Sequence, residues 1–206
     1  MGSTWTCEAV RLSAGGAVTV AALCVDSDGP YVGLDDVDPW DVTRDAKRYA
    51  GPHPVIAHPP CGPWGMLSAR CHTQDPSCAP RAVEQVRAFG GVLEHPLGSR
   101  LWAHCMLPRP GELPDAWGGR TYLVEQVAWG HACRKSTLLY VVGVPAEVVV
   151  RGIRTGGTPT HWIWGSHVAR RTPIPAGLRA ASAQIRRRTP PAFRDWLLEL
   201  ALAVRP

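Results

Sequence analysis

The sequence predicts an α/β domain built on a mostly parallel sheet. Two short apolar runs, residues 18–25 and 55–57, read as strands buried on both faces. Stretches with helical spacing separate the apolar runs, and alternation of the two element types is the mark of α/β architecture. The chain has 206 residues, 45% hydrophobic and 19% charged, which suits one domain with a sizeable core and excludes a disordered polymer.

Residues 1–16 read as an irregular N-terminus ending in Ala14-Gly15-Gly16. The first strand, 18–25, stops at the turn cluster Asp26-Ser27-Asp28-Gly29-Pro30. A short strand end is expected over 37–41 and a short helix over 44–49. Val55-Ile56-Ala57 is the next strand and leads into His58-Pro59-Pro60-Cys61. A helix is predicted over 79–89, with Val83, Val86 and Phe89 toward one side and Gly90-Gly91 closing it. Val92-Leu93 forms a short strand that runs into Glu94-His95-Pro96. Residues 99–103 suggest a helical turn, and the Pro- and Gly-rich segment 108–119 a loop. Strands are expected over 124–129 and 138–144, with a turn over 130–137 between them. Residues 146–185 show no clear period and are expected to form an irregular insert. After Thr189-Pro190-Pro191 comes an amphipathic helix, 192–204, that packs Phe193, Trp196, Leu197 and Leu200 back on the core. One domain, 1–206, accounts for all of this.

The formal charge is +5 and the sequence pI about 9.0. The charge is modest and forms no single long tract. It is densest from Arg179 to Arg194, around Arg186-Arg187-Arg188, with a smaller pair at Arg170-Arg171. Such a surface favours a polyanion, DNA or a nucleotide, although a solvated helix face reads the same way. Nine tryptophans leave base stacking and dimerisation open beside ordinary core packing. Seven cysteines, odd in number and irregularly spaced, argue against a disulfide scaffold and for a reducing, cytoplasmic setting. No stretch approaches the ~20 apolar residues of a membrane span, so no membrane partner is expected. Cys71-His72, Cys78 and His104-Cys105 do not have the spacing of a zinc finger, and no metal is expected.

The chemistry concentrates where apolar runs end. Pro59 and Pro60 fix the backbone and cannot continue a ladder, so Cys61 is presented by a stiff turn, as a nucleophile would be. Glu94 follows Val92-Leu93 and precedes Pro96 in the same manner. Arg134, Lys135 and Thr137 offer a guanidinium, an ammonium and a hydroxyl on one turn, a set that can hold a phosphate or a carbonyl oxygen. Together these groups suit covalent attack on carbon 6 of a pyrimidine, with the carboxyl group supporting the ring. His58, Pro59, Pro60, Trp64 and His95 neighbour the nucleophile or the carboxylate and are candidate substrate contacts.

The ordered set Pro-Pro-Cys, Leu-Glu-x-Pro and Gly-x-x-x-Arg-Lys-x-Thr resembles the DNA (cytosine-5) methyltransferase family, more closely its short, divergent phage and prophage relatives. The resemblance implies a reduced Rossmann-like, methyltransferase-type three-layer sandwich without a separate target-recognition domain. It makes Cys61 the nucleophile and Glu94 the carboxyl at ring nitrogen 3, with Arg134, Lys135 and Thr137 steadying the base. Arg188-Thr189-Pro190-Pro191 is similar to the family's last motif, which lies against the cofactor. It places Thr189 and Pro190 with Asp26, Ser27, Asp41 and Asp45 as candidate cofactor contacts. The implied activity is transfer of a one-carbon unit to carbon 5 of cytosine in phage DNA. The family's Phe-x-Gly-x-Gly loop has no good counterpart here, which leaves the donor open between S-adenosylmethionine and methylenetetrahydrofolate. Hydroxymethylation, a free pyrimidine nucleotide as substrate, and a catalytically inactive DNA-binding module are the alternatives.

Overall fold

A computed structural model of the protein describes residues 20–65, 68, 71, 74–163 and 172–205. The expectations for residues 1–16, for Val18 and Thr19, for His72 and for Arg170-Arg171 lie outside them.

Six strands form the main sheet: β1 (Val20–Leu23), β2 (Val37–Trp40), β3 (Val55–Ala57), β4 (Gly91–Pro96), β5 (Arg120–Glu125) and β6 (Ser136–Val142). Their spatial order is β2-β1-β3-β4-β6-β5. The first four are parallel, and β6 runs antiparallel to both its neighbours. A second, two-stranded sheet pairs β7 (His161–Trp162) with β8 (Arg179–Ala180). The helices among the described residues are α1 (Cys78–Phe89), α2 (Leu101–His104), α3 (Ala146–Gly152), the short α4 (Ala183–Arg187) and α5 (Pro191–Leu202).

Strand alternation sorts the core into two layers. Val20, Ala22, Ile56, Val92 and Leu139 face one side and pack with Trp129, Val149, Phe193, Trp196, Leu197 and Leu200. Ala21, Leu23, Val55, Ala57, Leu93 and Tyr140 face the other and pack with Ala79, Ala82, Val83 and Val86 of α1. The sheet is thus sandwiched between α1 and the pair α3 and α5. Phe193 and Trp196 close the first of these layers against Trp129, whose ring stacks on Trp196 at 4.7 Å. Gly91, at φ 118, lies so close to β3 that a Cβ there would collide with the Val55 backbone. Only glycine allows the two strands to pair at that point.

Several elements differ from the sequence reading. The first strand ends at Leu23, because Cys24 turns the chain at φ 58. The stretch 124–129 is not a strand. Only Val124 and Glu125 belong to β5, and Gln126–Trp129 is a 3-10 turn that buries Gln126, Val127 and Trp129. The Gln126 amide still bonds the Lys135 carbonyl opposite it at 3.0 Å, and the chain then coils, with the Gly130 amide bonding the Val127 carbonyl at 3.0 Å. Among its described residues, the expected irregular insert 146–185 holds regular elements. It contains α3, β7, β8 and the start of α4. Val148-Val149-Val150 is β-branched and weakly disposed to helix, but burial of Val149 in the layer of α5 overrides that preference.

The strand order fixes where a ligand belongs. The chain goes from β1 to β2 on one side and then to β3 on the other, so the order reverses between β1 and β3. Open parallel sheets bind ligands beyond the strand C-termini at such a switch point. The segments leaving β1 and β3 there are Cys24–Pro30 and His58–Cys61.

Candidate active site

Glu94 is the centre of a buried polar cluster. It lies inside β4, paired with Leu139 of β6, and is 7% exposed. Its Oε1 accepts from Gln126 Nε2 at 2.9 Å and from the Thr137 hydroxyl at 3.2 Å, with Lys135 Nζ at 3.7 Å. Its Oε2 faces His58 Nδ1 at 3.2 Å. Burial alone would raise the Glu94 pKa. The Lys135 ammonium and the His58 hydrogen bond override it and hold the carboxyl well below the usual carboxylate range. Glu94 is therefore ionised at neutral pH.

His58 continues the network. Its backbone amide extends the β1–β3 pairing by donating to the Leu23 carbonyl at 3.0 Å. Its Nε2 lies 2.8 Å from the hydroxyl of Tyr31, itself 1% exposed. Burial, reinforced by the negative charge of Glu94, pushes the Tyr31 hydroxyl far above its ordinary range, so it stays protonated. Because the ionised Glu94 can only accept, the His58 Nδ1–H donates to it.

Cys61 stands four residues beyond the end of β3 and caps the 3-10 turn Gly62–Trp64. Its carbonyl accepts from the amides of Trp64 at 3.1 Å and Gly65 at 2.9 Å, and the residue is exposed. A Cβ at Gly62 would strike the side chains of Gln74 and Cys71, which would have to move to make room for it. Although the residue reaches solvent, packing around the sulfur raises the thiol pKa, with the Glu94 charge adding to the rise and Lys135 opposing it. The resting form is the thiol, and Lys135 is the group that draws it toward thiolate.

The other predicted substrate contacts divide. Pro59 is buried and Pro60 partly so, as a rigid link requires. His95 is 1% exposed, its ring tilted against Trp102 at 6.4 Å, and neither ring nitrogen makes a well-formed hydrogen bond, although the Pro60 and Pro59 backbone near it weakly favours its protonated form. Burial lowers its pKa to about 4, so it is neutral and part of the core. The Trp64 ring packs on His104 at 4.8 Å, and its indole nitrogen donates to the Pro76 carbonyl at 3.2 Å, which ties it to the protein under the Cys61 turn. Arg134 is exposed and makes no hydrogen bond or ion pair with Glu94, whereas Lys135 and Thr137 both reach it.

Asp26, Ser27 and Asp41 meet in one pocket. About 250 Å³ in volume, it lies beyond the ends of β1 and β2 and is also lined by Val32, Pro39, Thr43 and Arg44. Asp41 accepts from the Thr43 hydroxyl at 2.6 Å, which lowers its pKa, and Arg44 Nη1 pairs with Asp38 at 2.5 Å. Asp45 is elsewhere, with its carboxylate accepting from the Lys47 amide at the start of a 3-10 turn. Pro190 caps α5, and from the first turn of that helix Arg194 Nη1 donates to the Pro30 carbonyl at 2.8 Å. That bond brings the start of α5, with Thr189 before it, to the loop after β1. Among the described residues no group of three or more His, Cys, Asp or Glu is placed to hold a metal ion, and no helix is long and apolar enough to cross a membrane.

Two members of the cluster were not identified from the sequence. Gln126 sat inside a stretch read as a strand, and Tyr31 follows Asp26–Pro30 as an isolated aromatic. The signal for Tyr31 was its place just after the first strand, at the switch point. Compared with protein-family models, with curated proteins and with solved structures, the chain matches none.

Proposed function

We propose that the protein transfers a one-carbon unit to carbon 5 of cytosine in DNA through a covalent adduct on Cys61. The observation that carries this reading is the meeting of an exposed cysteine beyond β3 with an ionised carboxylate in β4, both under the influence of Lys135. Cys61 loses its proton to solvent, and its sulfur adds to carbon 6 of the ring. The electron pair of the C5–C6 double bond is then available at carbon 5, where a one-carbon donor would give up its carbon and its carrier would leave with the electron pair of the broken bond. Loss of the carbon 5 proton to solvent then expels the sulfur and restores the double bond. Nitrogen 3 takes a proton from solvent as sulfur adds and returns it to solvent as sulfur leaves; Glu94, being ionised, supports the ring in between by accepting a hydrogen bond from that N–H. In a duplex the base must leave the stack to reach such a site.

The residues present fit S-adenosylmethionine better than a folate. Asp26, Ser27, Asp41 and Thr43 line the pocket at the ends of β1 and β2 with carboxylates and hydroxyls, which suit a cationic donor bearing ribose hydroxyls. A folate carries carboxylates of its own that Asp26 and Asp41 would repel, and Arg44, the cation in the lining, is already paired with Asp38. When bound, S-adenosylmethionine supplies an electrophilic methyl group. Asp26, Ser27 and Asp41 would hold it, with Thr189 and Pro190 closing from the side of α5. No separate target-recognition domain is included in this reading, and the host cytoplasm is its setting.

Nucleoside mass spectrometry on DNA from cells expressing the protein tests the reading, with Cys61→Ala as control. A Cys61-dependent gain of one methylene on deoxycytidine is the expected result. An added oxygen as well would point to methylenetetrahydrofolate and a hydroxymethyl product. Identical DNA from the two strains would overturn the assignment of DNA as substrate.

A further inference from the structure

The charge of this chain is sharply partitioned. The segment 148–194 contains nine arginines and no Asp, Glu or Lys. The whole chain has 22 basic and 17 acidic residues, so everything outside that segment is net acidic. Part of the segment is docked onto the loop that carries Lys135. The amides of Thr160 and His161 both bond the Ala132 carbonyl at 2.9 Å, and Cys133 bridges to His161. β7 then pairs His161 with Arg179, and the Arg179 amide bonds the Thr160 carbonyl at 3.2 Å. The Ala181 amide bonds the Trp162 carbonyl at 3.0 Å, and α4 starts two residues later, its Ile185 amide donating to the Ser182 hydroxyl at 3.2 Å.

Arg134, Arg179, Arg186, Arg187 and Arg188 are all exposed. Among the described residues none of the five enters an ion pair. The arginines on the acidic part of the fold behave differently: Arg44, Arg81 and Arg87 each pair with a carboxylate. Unpaired guanidinium groups gathered on one surface, with no carboxylate in the same segment, constitute an anion-binding face. Their shape favours phosphate, which a guanidinium can engage with two parallel hydrogen bonds.

We propose that β8, α4 and the 131–135 loop form a DNA-backbone platform, with Arg134, Arg179 and Arg186–Arg188 contacting phosphates beside the site of chemistry. The DNA assignment rests on the proposed function; the platform itself rests on charge and geometry. Phosphate contacts position a duplex without reading its sequence, so the platform confers binding with little sequence preference. It would do in a short chain what a separate recognition domain does in a longer one.

The test is binding of a 30-base-pair duplex by the full-length Cys61→Ala protein, which removes the proposed adduct from the measurement. Affinity is followed as salt is varied. The triple variant R186S/R187S/R188S is compared with R48S/R109S/R120S, which removes the same charge from exposed positions elsewhere. The first is expected to weaken binding by tenfold or more and to flatten the dependence of log K on log salt by about 0.9 for each phosphate no longer neutralised. The second is expected to leave the slope unchanged. Equal weakening in the two variants, or unaltered binding by the first, would overturn the platform, as would tighter binding of a single-stranded RNA of the same length. A duplex bound through these arginines while the DNA nucleosides remain unmodified would uphold the platform and reject the transferase reading, so the two fail separately.

Discussion

Cys61, beyond the end of β3, and Glu94, within the neighbouring parallel strand β4, each lie close to a proline, and the protein treats them in opposite ways. Cys61 lies beyond β3 on a short 3-10 turn, exposed, with its carbonyl rather than its sulfur holding the turn. Glu94 lies within β4, and four side chains from three other segments converge on its two oxygens. A group that must form and break a bond is left accessible, and one that must hold a charge in place is over-determined. Stability and chemistry should therefore separate at these two positions.

Replacement of each residue by alanine is the sharpest way to expose the difference. Cys61→Ala should abolish product entirely and change unfolding free energy by less than about 0.5 kcal/mol. Glu94→Ala should abolish product and also cost about 3 kcal/mol or more, because Lys135 and His58 are then left without their anionic partner in a buried site. Urea denaturation beside the nucleoside assay would separate the two. Equal decreases in stability would break the comparison.

The next largest effect is acid sensitivity. His95 is held neutral in the fold with its pKa lowered to about 4, against an ordinary value of 6.5. Between those values the unfolded chain binds a proton that the native state does not. The stability conferred by neutral His95 is thus present above pH 6.5 and lost as pH falls toward 4, on the order of 3 kcal/mol in all. Glu94 acts in the same direction at lower pH, since its depressed pKa contributes stability above the unfolded carboxylate value that is lost on further acidification. Urea midpoints measured from pH 7 to 4 should fall, and His95→Gln should flatten the part of that fall above pH 4.5.

Smaller effects concern the link between the two residues. Lys135→Met removes the cation that favours the Cys61 thiolate, so the thiol pKa should rise further. Alkylation of Cys61 by iodoacetamide at pH 8 should slow several-fold, measured by peptide mass spectrometry, and an unchanged rate would show that the ammonium does not act on the sulfur. Tyr31→Phe should cost about 1 kcal/mol, the worth of one hydrogen bond. By removing the hydrogen-bond partner of His58 Nε2 it should also reduce turnover several-fold, whereas a purely packing role would leave turnover unchanged.

Much of this layout was legible because it depends on local pattern. The apolar runs at Val20–Leu23 and Val55–Ala57, the buried face of Phe193, Trp196, Leu197 and Leu200, and the Gly90 end of α1 stand where periodicity and backbone chemistry put them. Asp26, Ser27 and Asp41 share a pocket because the ends of adjacent parallel strands must. Gln126 was hidden because Val-Glu-Gln-Val-Ala-Trp alternates well enough for a strand, whereas burial of Val127 and Trp129 accompanies a 3-10 turn closed by the Gly130 amide on the Val127 carbonyl. The helix at Ala146–Gly152 was hidden because three valines in a row speak for a strand until α5 covers Val149.

The sequence by itself determined the α/β class, the stiff turn before Cys61 and the residue types available at the strand ends. These follow from hydrophobic period and from the fixed geometry of proline and glycine, which act over a few residues. Only the tertiary structure decided that Glu94 is buried and ionised, that Tyr31 and Gln126 belong to its network, that Arg134 does not, and that the arginines of β8 and α4 sit beside the loop of Lys135. Those outcomes depend on which distant segments meet, and a carboxylate's charge state is set by the neighbours that replace its water.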